Sequence, residues 1–411
     1  MAKNLIKRMD YLKYFDEYVD SDFIKVFTGI RRCGKTSILY SIIDELKNKG
    51  INDDNIIFIS FEDPDYYLVE NFKDLDKLVY EKVKDISGKI YLFFDEIQEV
   101  DKWEKSINGY RVKLDCDIYI TGSNSKLLSN ELSTLISGRY LEIKVYPFSF
   151  KELLQYKKQI EKIDLSEADE RKLFNNYYIN YGGMPSILAF NTDEFRKSAL
   201  RDIFNTIILN DVVNRFSIKK IDLFNRFVRY MMNTVGQTFS SNSIKNYLKD
   251  KNIHTTQDTL LKYNEFLQQS FFLIKCRRQD LIGKKLLKFQ EKYYAMDHGF
   301  HHAIVESNQK RIPRVLENIV FVELLRRGYE VDVGIINKKE IDFVCQKVDK
   351  RIYIQVSYLM EREDTINREF GPLLSIPDKY DAYVLSMDDE DMSRDGIKHM
   401  NIIDFLKGNE I

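Results

Sequence analysis

Gly29-Ile30-Arg31-Arg32-Cys33-Gly34-Lys35-Thr36, followed by Ser37, is the stretch that decides the fold. Glycine at the first and sixth positions, then Lys-Thr, is the G-x-x-x-x-G-K-[ST] phosphate-binding pattern. The glycines allow a turn tight enough for successive backbone N–H groups to converge on one anion. Lys35 supplies a point charge for the β- and γ-phosphates, and Thr36 a hydroxyl for Mg2+. The flanks agree with this reading. Residues 23–27, Phe-Ile-Lys-Val-Phe, read as a strand, and residues 37–43 as the opening of a helix. Strand, loop and helix in that order aim the helix N-terminus at a phosphate. The expected ligands are ATP and Mg2+, with residues 29–37 as the binding loop.

A second apolar run, Lys89 to Phe94, ends in Asp95-Glu96. Acids at the end of a buried strand that follows a phosphate loop have two uses: Asp95 for the metal, Glu96 as general base for the attacking water. A third run, Asp117 to Thr121, ends in Gly122-Ser123-Asn124. A polar side chain there is expected between the metal-binding strand and the phosphate loop, where it positions the water. Arg139 stands just before another strand, residues 140–145. Its permanently charged guanidinium suits transition-state phosphate, often across a subunit boundary; the alternative is a surface arginine capping a helix C-terminus.

The chain has 411 residues, 44% apolar and 31% charged, which is globular composition with room for two to four domains. It has no apolar run of about 18 residues, the length of a spanning helix. The N-terminal residues Met1 to Arg8 lack a signal-peptide core. Cys33, Cys116, Cys276 and Cys345 are scattered singly, a usage that fits a reducing cytoplasm.

The series GIRRCGKTS, YLFFDEIQEVDKWE, YITGSNSKLLS, SGRYLEIKVYPFSFKELL and YYINYGGMPS resembles the prokaryotic AAA-type P-loop ATPases (AAA+ superfamily) that carry a C-terminal domain of unknown function. The resemblance spans nearly the whole chain. It implies that Ser123 or Asn124 is the sensor 1 residue and Arg139 an arginine finger. It also implies that Gly182-Gly183-Met184-Pro185 is the G-x-P element, whose Pro185 lies near the adenine.

Charge is sorted along the chain. From Asn214 to Lys292 there are 16 Lys/Arg against 6 Asp/Glu, a net of +10 in a chain whose total is −1. Such sorting suggests a basic surface for a polyanion. Within it, residues 239–249 and 258–268 read as helices joined by a short turn, the helix-turn-helix layout. Two strand-like runs around Gly283 follow as a hairpin wing. Lys245, Arg277, Arg278, Lys284 and Lys285 are the candidate contacts to duplex DNA; protein docking is the rival use. The histidines at 298, 301 and 302 are expected in an ordinary structural turn.

The last hundred residues change rhythm: a helix over 314–325, a strand at 329–333, then an antiparallel-looking pair at 340–344 and 352–356. That order resembles the PD-(D/E)xK nuclease fold, with Glu317, Asp342 and Gln355 at the metal positions. The lysine that such chemistry needs is expected two residues after Gln355, where Ser357 stands. The site is therefore vestigial, and the tail is expected to bind and not to cut.

The fold expected is α/β: a parallel-sheet AAA+ core over 1–150, a helical lid over 151–213, a winged-helix domain over 214–300 and a restriction-endonuclease-like domain over 301–411. The function expected is ATP hydrolysis coupled to conformational change in a cytoplasmic homo-oligomer, on double-stranded DNA. The alternative is a nucleotide-dependent switch that recruits a protein through the C-terminal half. No membrane partner is expected.

Overall fold

The computed structural model describes residues 6–124, 138–283, 285–305, 312–408 and 411. Residues 125–137 and the candidate contact Lys284 lie outside the described residues. The chain divides into two compact units: 1–146 with 269–271, and 147–268 with 272–411.

The first unit is built on a five-stranded sheet in the order β2-β3-β4-β1-β5. Its strands are β1 (Ile24–Thr28), β2 (Ile56–Ser60), β3 (Ile90–Asp95), β4 (Cys116–Gly122) and β5 (Tyr140–Lys144). All neighbouring pairs are parallel. Every residue of β1 and β3 is buried, as expected where helices cover both faces of a parallel sheet. Leu75 and Val79 of the helix Phe72–Val83, with Ile107 and Tyr110 of the helix Trp103–Lys113, pack on Val26, Leu92, Phe94 and Ile120. Two inward side chains at helical spacing from each helix thus close the core on one face of the sheet.

The order of the strands does the positioning. β4 lies between β3 and β1, so the strand ends carrying Asp95, Thr121 and Thr28 stand side by side. The helix Lys35–Asn48 starts on Gly34, whose φ of +102° is a left-handed value that glycine adopts without penalty.

The second unit opens with the helix Phe150–Gln159. It is capped by a reciprocal box in which the Glu152 N–H donates to Ser149 Oγ and the Ser149 N–H to the Glu152 carboxylate. Further along are helices Asp193–Thr206, Ile221–Asn233, Ser241–Lys249 and Gln257–Gln269. Ser240 and Thr256 accept the backbone N–H groups of Ser243 and Thr259 and so start the last two.

A seven-stranded sheet follows, ordered β12-β11-β10-β9-β8-β6-β7. Its strands are β6 (Leu273–Asp280), β7 (Lys285–Ala295), β8 (Glu330–Ile336), β9 (Lys339–Lys347), β10 (Lys350–Val356), β11 (Asp381–Ser386) and β12 (Lys398–Asn401). β9 and β10 are antiparallel, while β10 runs parallel to β11. Successive strand residues face opposite sides. Phe343 meets Phe321 of the helix Ile312–Arg326, and Val344 joins Phe370 and Leu373 of the helix Glu363–Leu374. The two helices therefore cover opposite faces.

The runs expected as a wing, β6 and β7, pair with each other antiparallel. β6 also pairs in parallel with β8, Arg277 opposite Asp332. The hairpin is thus the margin of the C-terminal sheet, which crosses residue 300. Among the described residues, no helix is long and apolar enough to cross a membrane.

Candidate functional site

Gly29 leaves β1 with no room for a side chain: a Cβ there would lie 2.2 Å from the Val145 carbonyl oxygen. The loop therefore runs against backbone, and the chain needs glycine at this point. The loop is braced by Arg8, a buried residue that belongs to no sequence motif. Its guanidinium donates to the Cys33 carbonyl at 3.1 Å and the Tyr146 carbonyl at 2.9 Å, and stacks 4.6 Å over the Tyr11 ring. Nothing in the N-terminal sequence marks this role, because an isolated arginine has no pattern.

Thr36 Oγ1 donates to Asp95, 3.1 Å from Oδ1 and 3.0 Å from Oδ2. Two further hydroxyls converge on the same carboxylate, Thr121 at 2.7 Å and Ser60 at 3.3 Å. Thr121 Oγ1 also accepts the Glu96 N–H at 2.8 Å. A buried carboxylate ringed by hydroxyls is an all-oxygen donor set, the kind a hard cation such as Mg2+ takes. Burial pushes the Asp95 carboxyl above its ordinary value, and the Thr121 and Thr36 hydrogen bonds oppose that rise.

Lys35 Nζ lies 3.2 Å from Glu96 Oε1 and donates to the Gly29 carbonyl at 3.2 Å. Burial works against both charges, but each outweighs it in the other. The Lys35 ammonium stands above its usual range and the Glu96 carboxyl below its own. Gln98 Nε2 holds the second Glu96 oxygen at 2.5 Å. Glu96 itself has φ +52°, a left-handed value uncommon outside glycine.

Arg31 reaches outward to Glu62 at 2.7 Å. Ile30 and Cys33 are buried, Arg32 is exposed, and Ser37 is half-buried. Ser123 and Asn124 are buried at the end of β4, and Ser123 Oγ has no hydrogen-bond partner among the described residues.

Arg139 is exposed, and its carbonyl accepts the Ile24 N–H at 2.9 Å. It thus stands at the end of the sheet where β1 begins, and the phosphate loop leaves the other end. The intervening four residues of β1 span roughly 13 Å, longer than an arginine side chain.

In the second unit, Gly183 N and Gly299 N donate to the two oxygens of buried Asp297, each at 2.8 Å. A Cβ on Gly182 would fall 1.9 Å from Asp297 Oδ1, and one on Gly183 would fall 2.0 Å from the Phe148 carbonyl oxygen, so each glycine is required by a different contact. Pro185 opens a short 3-10 turn next to it. His298 Nε2 bonds the Tyr178 carbonyl at 2.6 Å.

The C-terminal residues singled out in the sequence fall on the helix Ile312–Arg326 (Glu317), β9 (Asp342) and β10 (Gln355). Gln355 Oε1 accepts the Asp342 N–H at 3.3 Å, and the Val356 N–H donates to Asp342 Oδ2 at 2.9 Å. Burial, with the charge of Glu317 added, holds the Asp342 carboxyl well above its usual range. Sequence reasoning missed Lys292 on β7. Its buried ammonium lies 3.0 Å from Glu317 and 2.6 Å from Glu340, and Tyr294 Oη donates to Glu317 at 2.6 Å.

Among the candidate DNA contacts, Arg277 pairs with Asp332 at 2.9 Å, Arg278 with Glu340 at 3.4 Å, and Lys245 is half-buried on the helix Ser241–Lys249. Lys285 opens β7.

The parallel sheet, the phosphate loop and the Asp95-Glu96 strand end define an AAA-type P-loop ATPase fold. Residues 21–154 match the AAA domain family, and residues 172–311 match a domain of unknown function, DUF8612. An uncharacterized protein of Haemophilus influenzae is 38% identical over 407 residues, covering 99% of this chain and 100% of that one. An uncharacterized protein of Methanocaldococcus jannaschii, MJ1544, is 32% identical over 341 residues, covering 82% of this chain and 74% of its own. The chain belongs to one family with these two proteins, and its residues 21–154 carry the AAA-domain match. In fold it is similar to the Walker-type ATPase of Pyrococcus abyssi, with a TM-score of 0.52 at 14% identity over 73% of this chain and 96% of that one.

Proposed function

We propose that the protein binds ATP with Mg2+, hydrolyses it, and uses the change of nucleotide state to alter its conformation on duplex DNA. The observation that carries this is the double pairing at the strand ends. Thr36 meets Asp95 and Lys35 meets Glu96, so the two sequence motifs form one site. Thr36 and Asp95 are the residues that would hold Mg2+, which when bound supplies charge neutralisation at the phosphate oxygens. Lys35 exchanges Glu96 for the β- and γ-phosphates. Glu96 Oε1, released by that exchange, takes the proton of the attacking water. Ser123 and Asn124, buried between the strand of Asp95 and the phosphate loop, orient that water. Arg139, at the far end of its own sheet, serves the site of a neighbouring copy.

For the C-terminal half, the basic segment and the helix pair 241–249 and 257–269 support a winged-helix reading with polyanion contact. The order of helix and strands from 312 to 386 supports a nuclease-like scaffold. There the Lys292 ammonium already neutralises Glu317, a carboxylate that a catalytic cation would require, which favours binding over cleavage. A steady-state ATPase assay with Mg2+ or EDTA, with and without duplex DNA, tests the reading. Mg2+-dependent turnover stimulated by DNA is expected; turnover indifferent to duplex at low salt removes the DNA arm.

A further inference from the structure

The Glu96 carboxylate has two side-chain hydrogen-bonding partners, and they are not equivalent. Lys35 holds Oε1 at 3.2 Å and Gln98 Nε2 holds Oε2 at 2.5 Å. A carboxylate only accepts, so the amide nitrogen of Gln98 must face it. The other end of that amide, Oε1, is buried with no hydrogen-bond partner among the described residues. Glu96 is therefore the only hydrogen-bonding partner of the Gln98 side chain there. The turn that carries it is held by its neighbours: the Glu99 N–H donates to the Glu96 carbonyl, the Val100 N–H to the Ile97 carbonyl, and Ile97 and Val100 are buried. The Glu96 main chain is fixed too, by its N–H on Thr121.

If ATP binds as proposed above, Lys35 is drawn to the phosphates and Glu96 loses one of its two holds. We infer that Gln98 is the positioning residue that keeps the Glu96 carboxylate aimed once Lys35 has left it. This rests on the ATPase reading of the site. Glutamate has three side-chain torsions. Without the amide they are free at the moment of reaction, when a misplacement of about 1 Å costs on the order of 100-fold. Among the described residues, the side-chain hydrogen bond of Gln98 goes to Glu96 and not to the phosphate loop, so its removal should leave nucleotide affinity nearly unchanged.

The test uses the full-length protein with Gln98→Leu, Glu96→Gln and the double variant. It reads kcat and KM for ATP, and Kd for a fluorescent ATP analogue. The inference expects Gln98→Leu to lower kcat by roughly 10- to 100-fold, with KM and Kd within about twofold. Adding Gln98→Leu to Glu96→Gln should cost nothing further, because a residue acting only through Glu96 has nothing left to position. Gln98→Asn, which keeps the amide one methylene short, is read the same way if the leucine variant does not fold. Wild-type kcat in Gln98→Leu, or an equal loss in both backgrounds, overturns the inference. Wild-type turnover in Glu96→Gln alone is a separate result, and it overturns the role of Glu96 itself.

Discussion

The Lys35 ammonium and the Glu96 carboxylate stand 3.2 Å apart, both more than nine-tenths buried. Each is the other's compensation for lost hydration, and a buried charge stripped of its partner is costly. The pair therefore joins the phosphate loop to the end of β3 before any nucleotide arrives. An incoming phosphate competes with a carboxylate that the chain itself provides, and what it displaces is the candidate base.

Lys35→Ala should act on folding as well as on binding. It leaves Glu96 buried without a cation, so the nucleotide-free protein should lose about 3–5 kcal/mol, while ATP affinity falls by an order of magnitude or more. Removing Glu96 as well, in Lys35→Met with Glu96→Gln, should return much of the stability and none of the affinity. Thermal melts and a fluorescent-nucleotide titration separate the two effects. Equal melting of wild type and Lys35→Ala would mean the pair does not form.

Arg139 should be needed across an interface. In an assembled protein, Arg139→Ala should slow turnover about 10³-fold or more with ATP affinity nearly intact. Mixing it with Glu96→Gln should restore part of the activity, because some interfaces then hold one intact site and one intact finger. Full turnover by a monomer carrying Arg139→Ala would end this reading.

Asp297 should make the second unit's stability depend on pH. Burial pushes its carboxyl up to about 6 from 3.8, against the Gly183 and Gly299 N–H groups that favour the charged form. A carboxyl raised by folding contributes its stability below the unfolded value, and that contribution is lost as pH climbs through the folded one. Between about pH 4 and pH 6 the loss is on the order of 2–3 kcal/mol. Asp297→Asn should flatten that window in melting experiments. It should also cost about 1–3 kcal/mol at low pH, because an amide accepts from one of the two N–H groups and turns a donor toward the other. An unchanged pH profile in the variant would place the dependence elsewhere.

No cleavage of DNA above background is expected with Mg2+ or Mn2+, with or without ATP. Ser357 stands where the lysine would be, and the buried Lys292 ammonium is held between Glu317 and Glu340. Cleavage that disappears in Asp342→Ala would make the tail a nuclease.

The first unit was legible because its signals are local. A phosphate loop is defined by residues within eight positions, and buried parallel strands read as short apolar runs. The strand β2 and its Ser60 were not singled out, because a run such as Ile56-Ile57-Phe58-Ile59 does not say which acid its end will meet. Lys25 lies inside β1 with no exposed surface, paired to Asp117 on β4; from sequence alone it is a polar interruption in a strand. Lys292, Arg8 and Asp297 escaped for one reason. Each acts on residues far along the chain, and only the sheet order and loop packing bring the partners together. The double glycine was visible, but the Asp297 carboxylate and Phe148 carbonyl that require it were not.

The most direct test is single-cycle and steady-state ATP turnover by wild type and Glu96→Gln in the presence of Mg2+. Wild type should turn over, and Glu96→Gln should keep ATP bound while turnover falls by at least about 100-fold. Wild-type turnover in Glu96→Gln, or no hydrolysis by wild type under any nucleotide and Mg2+ condition, would contradict that expectation.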